Sequence, residues 1–327
     1  MRNGKLQHKP NGAAASPRPN SRADSRAESP VEARPASEPN GDRLPVLKTY
    51  KIFIGGKFPR TESGRYYLLN DPRTGRPLAN ICQCSRKDFR DAVVSARAAQ
   101  SAWAGRAPYN RSQILYRIAE MLEGRTAQFI EEIVQQGGSP AQAKAEVAAG
   151  IDRLVYYAGW ADKYQQIFSS VNPVASSHFN FSMVEPTGVA AILCPQNSAL
   201  IGLISTIAPA ICGGNTVVAL AARDLPLCAV TLGEVLATSD LPGGVVNILT
   251  GGRAELLEQF ASHMDVNAVI YCGGDPTEAA AVRAKASLNV KRAIIYDRPD
   301  WLASDAQGPY FILDTQEVKT TWHPIGV

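Results

Sequence analysis

The chain has 327 residues but only four histidines, His8, His178, His263 and His323, and they stand far apart. Its six cysteines, Cys82, Cys84, Cys194, Cys212, Cys228 and Cys272, include no Cys-x-x-Cys pair. Without clustered ligands, neither a zinc site nor a disulfide framework is expected. Reduced thiols fit a cytoplasmic setting. An excess of one charge is missing as well. The net charge of +4 sits in residues 1–48, where nine Lys/Arg face five Asp/Glu, and the remainder balances at 25 of each. That balance argues against a nucleic-acid surface. The first residues are basic with no apolar run behind them, so no secretory leader is expected there. One long uncharged stretch, residues 186–222, is broken by Pro195, Pro209 and Gly213-Gly214-Asn215. It reads as buried strand, helix and strand, and no membrane span is expected.

What is present divides the chain. Residues 1–45 are rich in Pro, Ser, Ala, Asn and Arg and poor in large apolar side chains. Such a segment buries too little to offset its ordering entropy, so it reads as a disordered tail. Order is expected from Val46. A strand is predicted over 48–54, ending at Gly55-Gly56, and another over 78–84 after the turn Asp71-Pro72-Arg73-Thr74-Gly75. Ser85 suits the N-cap of a helix over 86–103. Ile114, Ile118, Met121, Leu122, Phe129 and Ile133 recur at helical steps and predict one helix ending at Gly137-Gly138. Pro140 opens a third helix running to about residue 167. From His178 onward Phe179, Phe181 and Met183 alternate as in a half-exposed strand. Strands over 189–194, 216–220, 245–249, 268–271 and 292–296 then alternate with helices. The fold class is therefore α/β: a Rossmann-like parallel sheet with flanking helices, preceded by an N-terminal helical layer.

Several motifs carry a family resemblance. Asn70-Asp71-Pro72-Arg73-Thr74-Gly75, the helix end Ala96-Arg97-Ala98-Ala99-Gln100-Ser101-Ala102-Trp103, and Tyr156-Tyr157-Ala158-Gly159-Trp160-Ala161-Asp162-Lys163 come in order. Glu185-Pro186-Thr187-Gly188-Val189, Ile192-Leu193-Cys194-Pro195-Gln196-Asn197, Gly213-Gly214-Asn215-Thr216-Val217-Val218 and Leu241-Pro242-Gly243-Gly244-Val245-Val246-Asn247 follow. In order and spacing they resemble the aldehyde dehydrogenase superfamily from Lys48 to about Asp297.

The resemblance implies a cofactor-binding domain over residues 46–297. It also implies a small antiparallel oligomerisation arm, made of a hairpin at 178–185 and a terminal strand within 298–327. NAD or NADP would lie along Cys194, Pro195, Gln196, Asn197, Gly251, Gly273 and Gly274, with Asn197 at the oxyanion position. The departures are as telling. Leu220-Ala221-Ala222-Arg223 stands where the family carries a ribose-binding Lys and Glu, so cofactor binding is expected to be weak or lost. Arg223 facing a 2′-phosphate is the alternative. Tyr271-Cys272-Gly273-Gly274-Asp275-Pro276-Thr277-Glu278 replaces the phosphate-loop motif, with Asp275 and Glu278 adding negative charge. No Gly-Gln-x-Cys nucleophile motif occurs, and Ala293-Ile294-Ile295-Tyr296-Asp297 stands where the family's base glutamate motif belongs. Roughly 200 residues of catalytic domain would normally separate Asp297 from the terminal strand. No catalytic residue is assigned, and Cys272 or Cys194 as a substitute nucleophile is the minor alternative. The resemblance thus implies a non-catalytic partner of a full-length aldehyde dehydrogenase homologue, or a self-associating chain. The competing expectation is an NAD(P)-dependent oxidoreductase using Tyr271 or Tyr296 as proton donor. A plain structural module and a truncated gene product whose last strand matches by chance complete the alternatives.

Overall fold

The computed structural model describes residues 46–297 and 300–326, so the expectation for residues 1–45 lies outside the described residues. The chain enters through β1 (Thr49–Tyr50), β2 (Tyr66–Asn70) and β3 (Pro77–Cys82), a small sheet in the order β1-β3-β2. The strand expected over 48–54 is thus only two residues long. Phe53 leaves it to bridge Ile248, because its ring has a buried place against Gly233 and Phe58.

Four helices follow: α1 (Arg86–Ala104), α2 (Pro108–Glu123), α3 (Thr126–Gln135) and α4 (Pro140–Trp160), with the short α5 (Tyr164–Phe168) behind them. Ser85 caps α1 as expected: its hydroxyl accepts from Lys87 N, and its own amide donates to Asp88 at 2.7 Å. The single helix expected through residues 114–133 is two. Gly124 and Arg125 separate α2 from α3, yet Ile114, Ile118, Phe129 and Ile133 all remain in one core. The third helix likewise stops at Trp160, and the residues up to Phe168 form the separate α5.

The main sheet alternates with its helices: β6 (Val189–Leu193), α6 (Ile201–Cys212), β7 (Thr216–Leu220), α7 (Leu227–Ala237), β8 (Val246–Leu249), α8 (Arg253–Ser262), β9 (Ala268–Cys272), α9 (Pro276–Ala286) and β10 (Arg292–Tyr296). All five strands are parallel, in the order β10-β9-β6-β7-β8. Period-two alternation splits the strands between two cores. Val189, Ala191 and Leu193 face Phe89, Val93, Phe260 and Val282 of α1, α8 and α9. Ala190, Ile192 and Cys194 face the layer of α2, α4, α6 and α7. Every residue of α6 is buried, because α4 covers the side that the sheet does not. That double burial explains the uncharged run.

The arm is a three-stranded antiparallel sheet in the order β11-β5-β4, built from β4 (Ser170–Asn172), β5 (His178–Pro186) and β11 (Gln316–Pro324), with the helical turn α10 (Tyr310–Leu313) leading into β11. The hairpin expected within 178–185 is corrected: those residues form the single strand β5. Its hairpin partner is β4, three residues too short to announce themselves. β11 pairs with β5 over nine residues, from Gln316 opposite Pro186 to Pro324 opposite His178.

Asn215 ties this arm to the main sheet. Its Oδ1 accepts from Gly188 N at 2.9 Å, and its Nδ2 donates to Thr315 O at 3.0 Å, one residue before β11. The side chain is fully buried. Asn215→Leu leaves the Gly188 amide without an acceptor, whereas Thr315 O keeps the Thr187 amide as a donor, and is expected to cost about 2 kcal/mol in denaturant unfolding. Amide exchange in β11 should accelerate more than in β6. Equal acceleration in both strands would show that Asn215 is a general core residue rather than the arm's tether.

Candidate cofactor crevice

The strand order reverses at β6, which lies between β7 and β9, so the carboxyl ends of β6 and β9 flank the switch point of the sheet. Open α/β sheets bind ligands there. A cavity of about 660 Å³ occupies this place, walled by Pro195, Gln196, Asn197, Gly273, Gly274 and Trp301 among others. Five of the seven expected cofactor residues therefore line one cavity. Cys194 lies beneath it and presents its carbonyl. Gly251 lies elsewhere: its φ of 143° turns the chain after β8, and a side chain there would meet Cys84 N at 3.2 Å.

One wall of the crevice is formed by the protein's own arginine. Arg253 opens α8, and its guanidinium reaches across to the carbonyls that end the two strands. Nη2 donates to Cys194 O at 2.6 Å and to Cys272 O at 3.0 Å. Nη1 pairs with Glu278 at 3.3 Å, and the cation stands 5.0 Å from the Tyr271 ring centre. The Tyr271 hydroxyl donates to the same Glu278 oxygen at 2.8 Å. Arg253 is only 12% exposed, so this is a largely dehydrated ion pair. No sequence motif marked Arg253. The only available signal was a charged side chain directly after Gly251-Gly252.

The start of α9 is similarly self-satisfied. An unsatisfied helix N-terminus offers amide donors to phosphate. Here Pro276 has no amide proton, and Asp275 Oδ1 accepts from Thr277 N at 2.7 Å and Glu278 N at 3.3 Å. Gly273 and Gly274 make close approaches within the protein. A Cβ on Gly273 would sit 2.7 Å from the Tyr271 hydroxyl, and one on Gly274 would sit 2.9 Å from Asp297 Oδ1. Asp275, Glu278 and Asp297 all border the cavity.

The position matching the ribose site is also occupied from within. Leu220 is buried in the core. The Arg223 guanidinium lies 4.7 Å above the Tyr67 ring, and Tyr67 OH donates to Arg223 O at 2.7 Å. Gln196 accepts from Arg223 N at 3.0 Å and donates to Cys194 O at 3.0 Å.

All six cysteines are free and buried. Burial pushes the Cys194 thiol up to about 12 and raises the Cys272 thiol well above its ordinary value. The reactive species is the thiolate, so neither candidate substitute nucleophile is armed near neutral pH. The two tyrosines considered as proton donors each face a carboxylate. Tyr271 is held at Glu278 and pushed up to about 12, chiefly by burial. Tyr296 donates to Asp314 at 2.6 Å, and burial raises it strongly. Asn197 is exposed at the cavity rim. Among the described residues no helix is long and apolar enough to cross a membrane, and no group of three or more His, Cys, Asp or Glu is arranged to hold a metal.

Comparison with known proteins places this geometry in a lineage. Retinal dehydrogenase 2 of Mus musculus is 32% identical over 290 residues, which are 86% of this chain and 55% of that protein. Omega-crystallin of Enteroctopus dofleini is 29% identical over 263 residues, 79% of this chain and 52% of that protein. Among solved structures, the NAD+ complex of an aldehyde dehydrogenase from Bacillus cereus superposes with a TM-score of 0.72 at 25% identity. It covers 76% of this chain and 50% of the other. The chain thus spans about half the length of the relatives it matches. The sequence profile described as "Aldehyde dehydrogenase family" matches residues 59–295. With most of its length matched and its doubly wound sheet shared, the chain belongs to the aldehyde dehydrogenase family, a family of oxidoreductases.

Proposed function

We propose that this chain is a non-catalytic member of the family, with NAD or NADP binding weak or lost, that acts as partner or regulatory subunit of a full-length aldehyde dehydrogenase. The observation that carries the reading is the arm. β11 is joined to β5 along nine residues, is exposed from Glu317 onward, and forms the outer strand of its sheet. An exposed strand edge recruits another sheet through backbone hydrogen bonds.

The crevice supports the other half of the reading. A dinucleotide needs donors for its pyrophosphate and room at the switch point. Arg253 lines the space with its donors turned to the strand-end carbonyls and Glu278, Asp275 uses the α9 amides, and three carboxylates border the space. The residues present do not fit the cofactor. A buried network of this kind maintains the fold without a ligand.

The test uses purified proteins. The chain is mixed with a full-length aldehyde dehydrogenase from its own organism and analysed by native mass measurement. A mixed complex in fixed stoichiometry is expected, with no aldehyde oxidation by the chain alone. The reading fails if the chain never joins the enzyme, or if it oxidises aldehydes unaided.

A further inference from the structure

A second cavity, of about 340 Å³, lies between the loop that joins α3 to α4, the start of α6 and the chain beyond β10. Trp301 and Asn197 separate it from the crevice, since both residues line both spaces. Its charged lining is Glu146 and Asp300; among the described residues no lysine, arginine or histidine borders it. Ile133, Ile201 and Leu225 supply an apolar wall.

The polar groups around this cavity divide into used and unused. Gln136 accepts from Leu227 N at 3.0 Å and donates to Glu132 O at 2.9 Å. Glu146 Oε1 accepts three bonds, from Ser198 Oγ at 2.8 Å, Leu200 N at 2.7 Å and Ile201 N at 3.0 Å. Oε2 of the same carboxylate has no donor among the described residues. Asp300 Oδ1 accepts from Leu302 N at 2.8 Å, and its Oδ2 is open in the same way.

Trp301 is the third open group. It is 3% exposed, and its indole N–H finds no acceptor. An unmet buried donor is costly, and native proteins rarely keep one without a ligand, ion or water to complete it. The residue is held in place. Its carbonyl accepts from the buried Arg153 guanidinium at 3.2 Å, and its ring meets Tyr296 edge-on with centroids 6.3 Å apart. A ligand that answers all three groups brings a positive charge for the two carboxylates and an oxygen for the indole. An anion would face both carboxylates with no cation in the lining to offset them, and a hydrocarbon would leave the N–H unmet.

We propose that this cavity binds a small protonated amine that also bears a hydroxyl or carbonyl oxygen. Glu146 Oε2 and Asp300 hold the ammonium, the Trp301 N–H donates to the oxygen, and the apolar wall takes the carbon chain between them. The inference rests on no part of the partner reading above, because none of these residues belongs to the arm.

Short linear amino alcohols of increasing length are the probes, titrated into the full chain by calorimetry at neutral pH. The alkylamine and the alkanol of equal length serve as controls. One amino alcohol should bind about ten-fold more tightly than either control. Trp301→Phe keeps a ring and removes the donor. Without ligand it should melt no lower than the unmodified chain, since it carries no unmet group, and it should weaken binding about ten-fold. A merely structural tryptophan would show the reverse, a lowered melting point and an unchanged affinity. Glu146→Gln keeps an oxygen for Ser198 and the α6 amides but removes the charge, and should weaken binding about ten-fold or more. Silence from every amino alcohol up to about 10 mM overturns the proposal, as does an affinity that survives both substitutions. So does an alkylamine that binds as tightly as its amino alcohol, because the indole then has no role.

Discussion

Raising the pH from 7.5 to 10 in the presence of a thiol reductant should remove about 5 kcal/mol of unfolding free energy. Cys84, Cys194, Cys212, Cys228 and Cys272 are each at most 2% exposed. Burial holds all five thiols above their ordinary value of 9.0. The sign follows from proton counting. Between pH 9 and the raised folded-state values, the unfolded chain has released these protons and the folded chain has not. The folded state binds more protons, so stability falls as pH rises. Each thiol contributes about 1.4 kcal/mol per pH unit in that window, and five contribute about 7 kcal/mol by pH 10. Lys291 opposes them. Burial lowers it to about 8, so its contribution grows from pH 8 to its ordinary 10.5 and returns about 2 kcal/mol by pH 10. Above pH 10 the buried phenols of Tyr50, Tyr157 and Tyr164, all raised by burial, add to the loss. A total near 5 kcal/mol rivals the whole stability of many domains.

Denaturant titrations at the two pH values measure this loss. Cys228→Ala should shrink the difference by about 1.4 kcal/mol, because one titrating thiol is gone. A stability that stays flat from pH 8 to 10 would show that the thiols are more hydrated than their burial implies. The same burial predicts that Ellman's reagent labels none of the six thiols in the native chain. It bears on function because an acyl transfer needs a thiolate at neutral pH, and burial holds these five thiols protonated.

The sheet was legible in the sequence because parallel strands buried on both faces read as unbroken apolar runs, as Val189–Leu193 and Ala268–Cys272 do. β2 was not legible. Tyr66 and Leu68 are exposed there, and only Leu69 is buried, so the segment carries no strong period. The break between α2 and α3 was hidden for a different reason. The same core receives the stripes of both helices, so the apolar spacing crosses Gly124 without interruption. The crevice was half legible. The loop after β6 and the glycines after β9 were marked by motif, and Asp275 and Glu278 by their charge. Arg253, which joins them, belongs to a different helix and meets Glu278 across 25 residues. Nothing local encodes that meeting, since it depends on α8 and α9 lying side by side. The arm shows the same division. The edge residues of β11 stand in one short stretch, whereas the tether at Asn215 is 100 residues from Thr315.

Charge, rather than lost ribose contacts alone, should govern the crevice. Titrated with NAD or NADP to millimolar concentration, the unmodified chain is expected to give no heat and no thermal stabilisation. The variant Asp275→Ser with Glu278→Gln should bind the same nucleotides at least 30-fold more tightly. Serine keeps a capping oxygen for α9 without the charge, and glutamine keeps partners for Tyr271 and Arg253. What changes is the field. A carboxylate about 6 Å from a phosphate costs about 3 kcal/mol at an effective dielectric of 20, and solvent at the crevice mouth reduces this. Removing two such charges, and freeing Arg253 from its ion pair, therefore yields about 2 kcal/mol or more, which is the 30-fold stated. Micromolar binding by the unmodified chain would mean that the crevice is a working nucleotide site despite the Arg253–Glu278 pair and its bordering carboxylates. A folded double variant that still ignores both nucleotides would locate the loss at Leu220 and Arg223, where the base and ribose end would lie. In that case the Arg253–Glu278 ion pair is a consequence of disuse and not its cause.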